Sequence, residues 1–438
     1  MSRIPLLSRA ACALLSLLPL LLPGPAWTDP VPETEPLSLP AARRIALDRQ
    51  PLLEAEAHAV DAARETAIAA RQLPDPVLKG GVSDLTATGD QIGTLSRQND
   101  TQFTVGIQQA FPRAAKRALR GERADAETQL AERRLLTDRL QLEREVGLAW
   151  LEVWKVREAH ALARASEREA QLQIDALQLA YASGRKPQAE VREARVALEL
   201  LRDEIAKLEQ DDGHARSQLS RWLGEAAYRP LPDGPPPLPE PPPLGALLEG
   251  LRSHPHLDIT SAEVAVAEAD LRLARQAYQP DVSVELGYGY RPSFSDYLNL
   301  QVAIDLPVFT ANRQDRSLAA RQSALLRAEA LREDSFREHA ADARLNHGDW
   351  TRLGVRLARF DDTILPEAEA RIEAARLAWA AGSGSLSEVL AARRAALDAR
   401  LRRLDLQTDR SRHALQLRYL AAREPDTDTD TESAGVTP

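Results

Sequence analysis

The sequence of 438 residues could hold two or three ordinary domains or one long repeat. Charged residues make up 28% of it and aromatic residues only 4%, while alanine, leucine, arginine and glutamate dominate, which is typical of long helices and coiled coils. The net charge of -9 argues against a nucleic-acid partner.

Residues 1–28 have the features of a secretory signal peptide. Arg3 and Arg9 supply a positive start, an apolar run covers residues 10–22, and small residues follow at 23–26. The run is too short for a membrane-spanning helix, which needs about 20 apolar residues. We therefore expect an exported protein in which any membrane contact is made by strands.

Sulfur is almost absent from the sequence. Cys12 is the only cysteine, Met1 is the only methionine, and Cys12 lies at the start of the apolar run, which is the wrong place for a lipid-modified cysteine. The mature chain is therefore expected to have no acyl anchor, no disulfide and no soft sulfur ligand for a metal ion.

The first repeat is predicted to span residues 29–227. It starts with a helical pattern that breaks at Pro51 and stops at a proline-rich segment. Two segments with the apolar and polar alternation of strands follow, at residues 77–84 and 101–111.

A helical hairpin is predicted over residues 113–223. No proline occurs between Arg113 and Ala182, and a single helix of that length would be about 105 Å long. Such a helix implies coiled-coil or helical-barrel packing. Gly184 stands where a C-terminal cap belongs, and Pro187 stands where the returning helix would begin.

The second half of the sequence repeats this plan, which makes the duplication the main architectural signal. Its hairpin contains Pro366, which predicts a kink, and it turns at Gly382 within a stretch that matches the one around Gly184. The predicted parts are a proline-rich linker at 228–245, a second repeat at 246–423 with strands at 281–290 and 297–306 and a hairpin at 312–422, and a disordered acidic tail at 424–438.

Each strand of the second pair has about ten residues of alternation, the length that crosses an outer membrane when the strand is tilted. Backbone groups in lipid must all be paired, so such a sheet must close into a barrel. Four strands cannot close around a lumen, which predicts an oligomer in which every protomer lends four strands. The alternative is a sandwich domain on a coiled-coil stalk.

In the order of its elements, the sequence resembles the outer membrane efflux proteins of the TolC type over residues 39–423. The shared motifs are Gln-Leu-Pro-Asp-Pro at 72–76, Gln-Gln-Ala-Phe-Pro-Arg-Ala-Ala-Lys-Arg at 108–117, and the two Tyr/Trp-x-x-Gly turns. The first two motifs are most similar to the subgroup that serves heavy-metal resistance pumps.

The resemblance implies a mainly α-helical fold with a membrane β-barrel portion. A homotrimer would form a twelve-stranded barrel in contact with outer-membrane lipid and a helical tunnel in the periplasm. The protein would be the passive exit duct of a tripartite system, joined to a periplasmic adaptor (a membrane fusion protein) and a proton-driven inner-membrane transporter of the resistance-nodulation-division type. In the metal-resistance subgroup the cargo is metal cations, and the duct catalyses nothing.

The same resemblance implies a tunnel narrowed by acidic residues shortly after the turn glycines. Glu190 and Glu388 each follow their turn glycine by six positions, and Glu193 follows by nine, where the second repeat has Ala391. Three copies of a glutamate facing one axis would repel one another and attract cations. For Glu388 there is an alternative, because with Ser385 it matches a helix capping box.

The two turns are also expected to meet the adaptor. The residues that recur in both repeats are Tyr181 and Gly184 in the first turn and Trp379 and Gly382 in the second. The alternative is that the glycines only cap their helices and the aromatic residues only pack.

No catalytic constellation, phosphate-binding loop or cysteine–histidine cluster is found in the sequence, so we expect neither an enzyme nor a cofactor. His254 and His256 could ligate a metal, but the first repeat has Gln50 and Leu52 at these positions, which argues against a metal site. We interpret both as surface histidines of a loop. The functional alternatives are an outer-membrane duct for drug efflux or type I protein secretion, and an exported coiled-coil scaffold or adaptor protein.

Overall fold

The structure, a computed structural model, describes residues 35–85, 88, 92, 101–292 and 294–422. The predicted signal peptide, most of the loop before residue 101 and the predicted acidic tail lie outside the described residues. The described part of the chain is mainly helical, as predicted. None of its helices combines the length and the apolar character that a membrane-spanning helix requires.

Nine α-helices run through the described ranges, and the longest is the first arm of the first hairpin. At about 1.5 Å per residue, its 69 residues extend over about 100 Å. In chain order the helices are α1 (Leu39–Arg49), α2 (Pro51–Ala70), α3 (Ala114–Ala182), α4 (Gln188–Leu223), α5 (Leu244–Gly250), α6 (Pro255–Arg275), α7 (Gln314–Arg359), α8 (Leu365–Ala380) and α9 (Leu386–Leu420).

Local chemistry accounts for several helix boundaries. The Ser38 side chain accepts a hydrogen bond from the Ala41 amide and caps α1. Pro51 begins α2, where its missing amide proton costs nothing. Pro366 has no amide to bond to the preceding turn, and a single turn of π-helix, Phe360–Ile364, joins α7 to α8 just before it.

Four strands form one antiparallel sheet in the order β1-β2-β3-β4. The pairing of β2 with β3 joins the two repeats. Among the described residues, β1 and β4 are the edges of the sheet and have no further strand beside them. The strands are β1 (Val77–Ser83), β2 (Gln102–Phe111), β3 (Val282–Tyr290) and β4 (Tyr297–Ile304).

One face of this sheet is apolar and exposed. Leu78, Ile107, Leu286 and Leu300 stand side by side across the four strands. Their exposed fractions are 77%, 49%, 52% and 68%. A row of aliphatic side chains with this exposure requires an apolar partner outside the chain.

The other face carries the polar side chains. The Lys79 ammonium lies 2.6 Å from a Glu285 carboxylate oxygen, and the Gln108 amide donates to the Ser283 hydroxyl at 3.1 Å. The sheet therefore keeps apolar and polar residues on opposite faces, as the alternation in the sequence predicts.

The largest hydrophobic cluster lies where α1 crosses the middle of the first hairpin and the C-terminal half of α9. Trp150 is fully buried there, and its indole N–H donates to the Leu37 carbonyl at 2.8 Å. Residues of the proline-rich linker join the cluster through Leu231, whose carbonyl accepts from Arg157 at 2.6 Å. The linker is thus bound along the first hairpin. Its predicted range, 228–245, ends inside a helix, because α5 begins at Leu244.

Candidate functional site at the hairpin turns

The two hairpin turns have the same backbone. In the first, the Gly184 amide donates to the Tyr181 carbonyl at 2.9 Å and the Arg185 amide to the Ala180 carbonyl at 2.9 Å. In the second, Gly382 donates to Trp379 at 3.1 Å, and the next amide closes onto the Ala378 carbonyl at 2.9 Å. Both turns are therefore Schellman motifs, the standard helix ending with a left-handed glycine.

Glycine is needed in both turns because of the backbone angle. The φ angles are 72° at Gly184 and 77° at Gly382, in the region that L-residues rarely adopt. A Cβ atom at either position would meet nothing within 4 Å. The capping alternative for the glycines is therefore present in the structure, and the open space leaves both turns accessible.

The aromatic residue of the second turn reaches across to the first turn. The Trp379 indole N–H donates to a Glu190 carboxylate oxygen at 3.0 Å. The Lys186 ammonium lies 3.7 Å from the same oxygen and 4.4 Å from the centre of the Trp379 ring. We call these three residues, Trp379, Glu190 and Lys186, the tip latch, because they join the end of α8 to the start of α4.

The two glutamates that follow the turn glycines by six positions have different roles. Glu388 is exposed and forms the capping box of α9: its carboxylate accepts from the Ser385 amide at 2.9 Å, and its own amide donates to the Ser385 hydroxyl at 3.3 Å. Glu190 has no such cap and instead binds Trp379. The repeat therefore places equivalent carboxylates in unequal surroundings.

The remaining predicted site residues stay on the surface. Tyr181 is 46% exposed, and its hydroxyl forms no hydrogen bond to another described residue. Glu193 is also exposed, one turn along α4 from Glu190. The structure thus brings Glu190 and Trp379 together and leaves Tyr181, Glu193 and Glu388 outside the tip latch.

Next to the turns, a small hydrophobic cluster joins the two hairpins. Trp379 and Leu390 pack against it at its edge. Its buried members come from three helices and are Ile174 and Leu177 of α3, Val191, Ala194 and Leu198 of α4, and Leu386 of α9.

Ion pairs continue this contact away from the turns. Arg394 of α9 pairs with Glu204 of α4 at 2.5 Å, and Arg202 pairs with Glu167 within the first hairpin at 3.0 Å. Hydrogen bonds from Arg164 and Arg202 hold the pKa of Glu167 below its ordinary value. The arginines of these pairs are about half exposed, so solvent screens the pairs and each contributes little to stability.

A groove of about 480 Å³ lies between the two hairpins beside this cluster. Its lining includes the apolar side chains of Leu200, Ile372 and Leu390 and the charged side chains of Glu369 and Arg393. Such a groove, open and apolar with charged edges, has the chemistry of a surface that binds an amphipathic helix.

The interpretation of His254 and His256 as surface histidines is wrong for His254. Its ring is fully buried and caps α6: Nε2 lies 2.9 Å from the Tyr419 carbonyl, and Nδ1 accepts from the His256 amide at 3.2 Å. The ring of His339 stacks on His256 at 4.8 Å. Burial lowers the pKa of His254 to about 4, so the ring is neutral at neutral pH.

The sequence pattern did not identify Lys186 as part of the site. Its only signal was its spacing, four residues before Glu190 on the same side of the turn, which suits an ion pair on a helix. In the described residues no group of three or more histidine, cysteine, aspartate or glutamate side chains has the arrangement to hold a metal ion.

A family model described as outer membrane efflux protein matches the chain over residues 42–225 and 248–423. The two matched segments lie within the two predicted repeats, and the gap between them contains the predicted proline-rich linker. The chain belongs to the outer membrane efflux protein family. Family membership confirms the predicted location in the outer membrane with a periplasmic extension.

Individual relatives agree with the family. The cobalt-zinc-cadmium resistance protein CzcC of Cupriavidus metallidurans is 26% identical over 372 residues, which cover 84% of this chain and 86% of CzcC. Crystal structures of CusC match with a TM-score of 0.72 at 19% identity, over 89% of this chain and 93% of CusC. The outer membrane protein VceC of Vibrio cholerae matches with a TM-score of 0.71 at 18% identity, over 88% of this chain and 96% of VceC. The structural matches show that the fold is that of outer membrane efflux channels.

Proposed function

We propose that the protein is the outer-membrane exit duct of a tripartite efflux system that exports heavy-metal cations. The observation that carries the choice of cargo is the similarity to CzcC, a cobalt-zinc-cadmium resistance protein, along most of both chains. The motifs at residues 72–76 and 108–117, which resemble the metal-resistance subgroup, support the same cargo.

A trimer is the proposed working form. The open edges of β1 and β4 suit pairing with copies of the same strands, since unpaired backbone groups cannot face lipid. The exposed row of Leu78, Ile107, Leu286 and Leu300 suits contact with lipid. In α8 no residue is buried within the chain, which supports a helix packed against a neighbouring protomer.

The hairpin turns are the proposed contact with the periplasmic adaptor. Both turns leave open space around their glycines, and Tyr181 is exposed beside the first. The groove between the hairpins would receive a helix of the adaptor. The inner-membrane transporter would deliver the cargo through the adaptor and supply the energy, and the duct would let it pass.

The acidic residues near the turns are the proposed cation entrance. Three copies each of Glu190, Glu193 and Glu388 at the narrow end of the tunnel would attract divalent cations and disfavour anions. Glu190 would change from binding Trp379 to lining the entrance when the tip latch opens. Glu388 can cap its helix and still present its charge.

Deletion of the gene in its host tests this function. We expect lower tolerance to cobalt, zinc or cadmium ions and more cell-associated metal, both restored by the intact gene. A variant lacking residues 382–384 should not restore tolerance, because the second turn is lost, whereas Arg332→Gln on the exposed face of α7 should restore it as the matched control. Equal amounts of each variant in the outer membrane are checked by immunoblot.

The outcomes separate the proposed cargo from its alternatives. Unchanged tolerance to every metal, with increased sensitivity to dyes or antibiotics, would assign the duct to drug efflux. Loss of a secreted protein from the medium would assign it to type I secretion. Extraction of the protein by salt without detergent would contradict the membrane duct altogether.

A further inference from the structure

Three arginines from distant parts of the chain line one pocket of about 320 Å³. Arg43 comes from α1, Arg144 from α3 and Arg418 from α9. The only carboxylate among the described lining residues is Glu143. The pocket therefore gathers three positive charges against one negative charge.

The three pocket arginines have no carboxylate partner among the described residues. None of the three forms an ion pair with a described carboxylate, whereas neighbours such as Arg412 on α9 pair with acidic residues. The Nε atoms of Arg43 and Arg144 are buried and have no hydrogen-bond partner in the described part of the chain. A buried guanidinium N–H without an acceptor is costly, so both atoms point to a missing acceptor.

Arg43 and Arg144 are partly buried, whereas Arg418 is exposed at the edge of the pocket. The Arg144 guanidinium lies 4.7 Å from the centre of the buried Tyr419 ring. Burial, followed by the nearby charge of Arg418, lowers the pKa of Arg43, which indicates that the positive charges are incompletely compensated. A carboxylate bound in the pocket would compensate them and accept the free N–H groups.

Acidic residues follow in the sequence soon after the last described residues that line this pocket. Ala421 and Ala422 line it and are the last described residues of the chain. An extended chain advances by about 3.5 Å per residue, so Glu424 comes within about 7 Å of Ala422. Further acidic residues alternate with threonines after it, and in an extended segment alternate residues face the same side. They are Asp426, Asp428, Asp430 and Glu432.

We propose that the acidic segment at residues 424–432 binds in the arginine pocket of its own chain and clasps α1, α3 and α9 together. The charge of the segment, its starting point at the pocket wall and the unsatisfied N–H groups of two arginines point to this occupant. The bound carboxylates reduce the repulsion between the three arginines, which come from three different helices. The clasp is independent of the cargo that the duct carries.

Disulfide trapping in the full-length protein tests the clasp. Thr427→Cys is combined with Leu140→Cys at the pocket wall, and the only natural cysteine, Cys12, lies in the predicted signal peptide. We expect a disulfide within one chain under mild oxidation. Its yield should fall several-fold when Asp426, Asp428 and Asp430 are replaced by asparagine, and it should fall in high salt, which screens the charges.

The matched control separates the pocket from general charge effects. Arg144→Gln with Arg418→Gln should lower the yield several-fold, whereas Arg327→Gln with Arg332→Gln on the exposed face of α7 removes the same charge and should not. Absence of the disulfide, a disulfide only between chains, or a yield insensitive to the acidic residues would overturn the proposal. If the pocket variants do not assemble, the tail variants still decide, because they leave the described part of the chain unchanged.

Discussion

The two hairpin turns share a backbone and differ in what their side chains do. Both end in a Schellman glycine, yet Trp379 reaches a carboxylate of the other hairpin while its counterpart Tyr181 remains exposed. Likewise, Glu190 binds across the hairpins and Glu388 caps its own helix. The two turns therefore have the same backbone shape. The side chains that differ between them determine that the second turn binds the first, through Trp379.

The N-terminal caps of α2 and α6 also differ between the repeats, and we expect the largest change in stability at this pair. Gln50 makes no side-chain cap, whereas His254 caps α6 as a buried neutral ring next to His256 and His339. Between pH 6.5 and about 4, the unfolded chain binds a proton at His254 that the folded chain does not. Stability is therefore lost as pH falls through this window, by roughly 3 kcal/mol.

Thermal unfolding in detergent at pH 7.0 and at pH 4.5 measures this loss. His254→Gln, which introduces the residue of the first repeat, should flatten the dependence on pH, while His58→Gln on the exposed surface of α2 should leave it as it is. If His254→Gln leaves the pH dependence of the unfolding temperature unchanged, other titratable groups cause that dependence.

The tip latch gives the second effect. Trp379→Phe keeps an aromatic ring but removes the N–H that donates to Glu190, and a hydrogen bond to a charged acceptor contributes about 1.5–3 kcal/mol. We expect faster hydrogen exchange of the turn amides, because their local opening becomes easier. Tyr181→Phe is the matched change in the other repeat and should have no effect.

Alanine at the turn glycines tests the shared backbone. Because Gly184 and Gly382 have nearly the same φ angle and open space around them, Gly184→Ala and Gly382→Ala should each destabilise their turn by about 1–2 kcal/mol. Hydrogen exchange of the backbone amides next to each glycine measures how much each substitution destabilises its turn. A much larger cost at one turn would mean that the two backbones are less alike than their hydrogen bonds indicate.

The capping box gives the smallest effect. Ser385→Ala removes the hydroxyl that accepts from the Glu388 amide and should destabilise the start of α9 by about 1 kcal/mol. The α4 helix begins after Pro187 without a side-chain cap, so Gln188→Ala should change little there. Hydrogen exchange in the first turns of α4 and α9 measures the effect of each substitution. If Gln188→Ala speeds exchange in α4 as much as Ser385→Ala does in α9, the cap assigned to Ser385 is contradicted.

Local signals in the sequence were sufficient for the elements themselves. Prolines and glycines mark helix boundaries such as Pro51 and Gly382, and the alternation of apolar and polar residues marks the strands. Both signals depend only on a residue and its near neighbours. The capping box at Ser385 could be read for the same reason.

Contacts between distant segments could not be read in this way. The bond from Trp379 to Glu190 depends on how the second hairpin is rotated against the first, which no local pattern encodes. The burial of His254 depends on Tyr419 and His339 from two other helices. The arginine pocket joins α1, α3 and α9, and each of its arginines alone looks like an ordinary charged residue of a helix.

A double-mutant cycle across the tip latch measures whether Trp379 and Glu190 stabilise the turns together. Trp379→Phe, Glu190→Gln and the double variant are compared through the opening free energy of the turn amides, alongside the equivalent cycle of Tyr181→Phe and Glu388→Gln. We predict a coupling free energy of about 1 kcal/mol or more in the first cycle and none in the second. Equal couplings in the two cycles, or none in the first, would contradict this prediction.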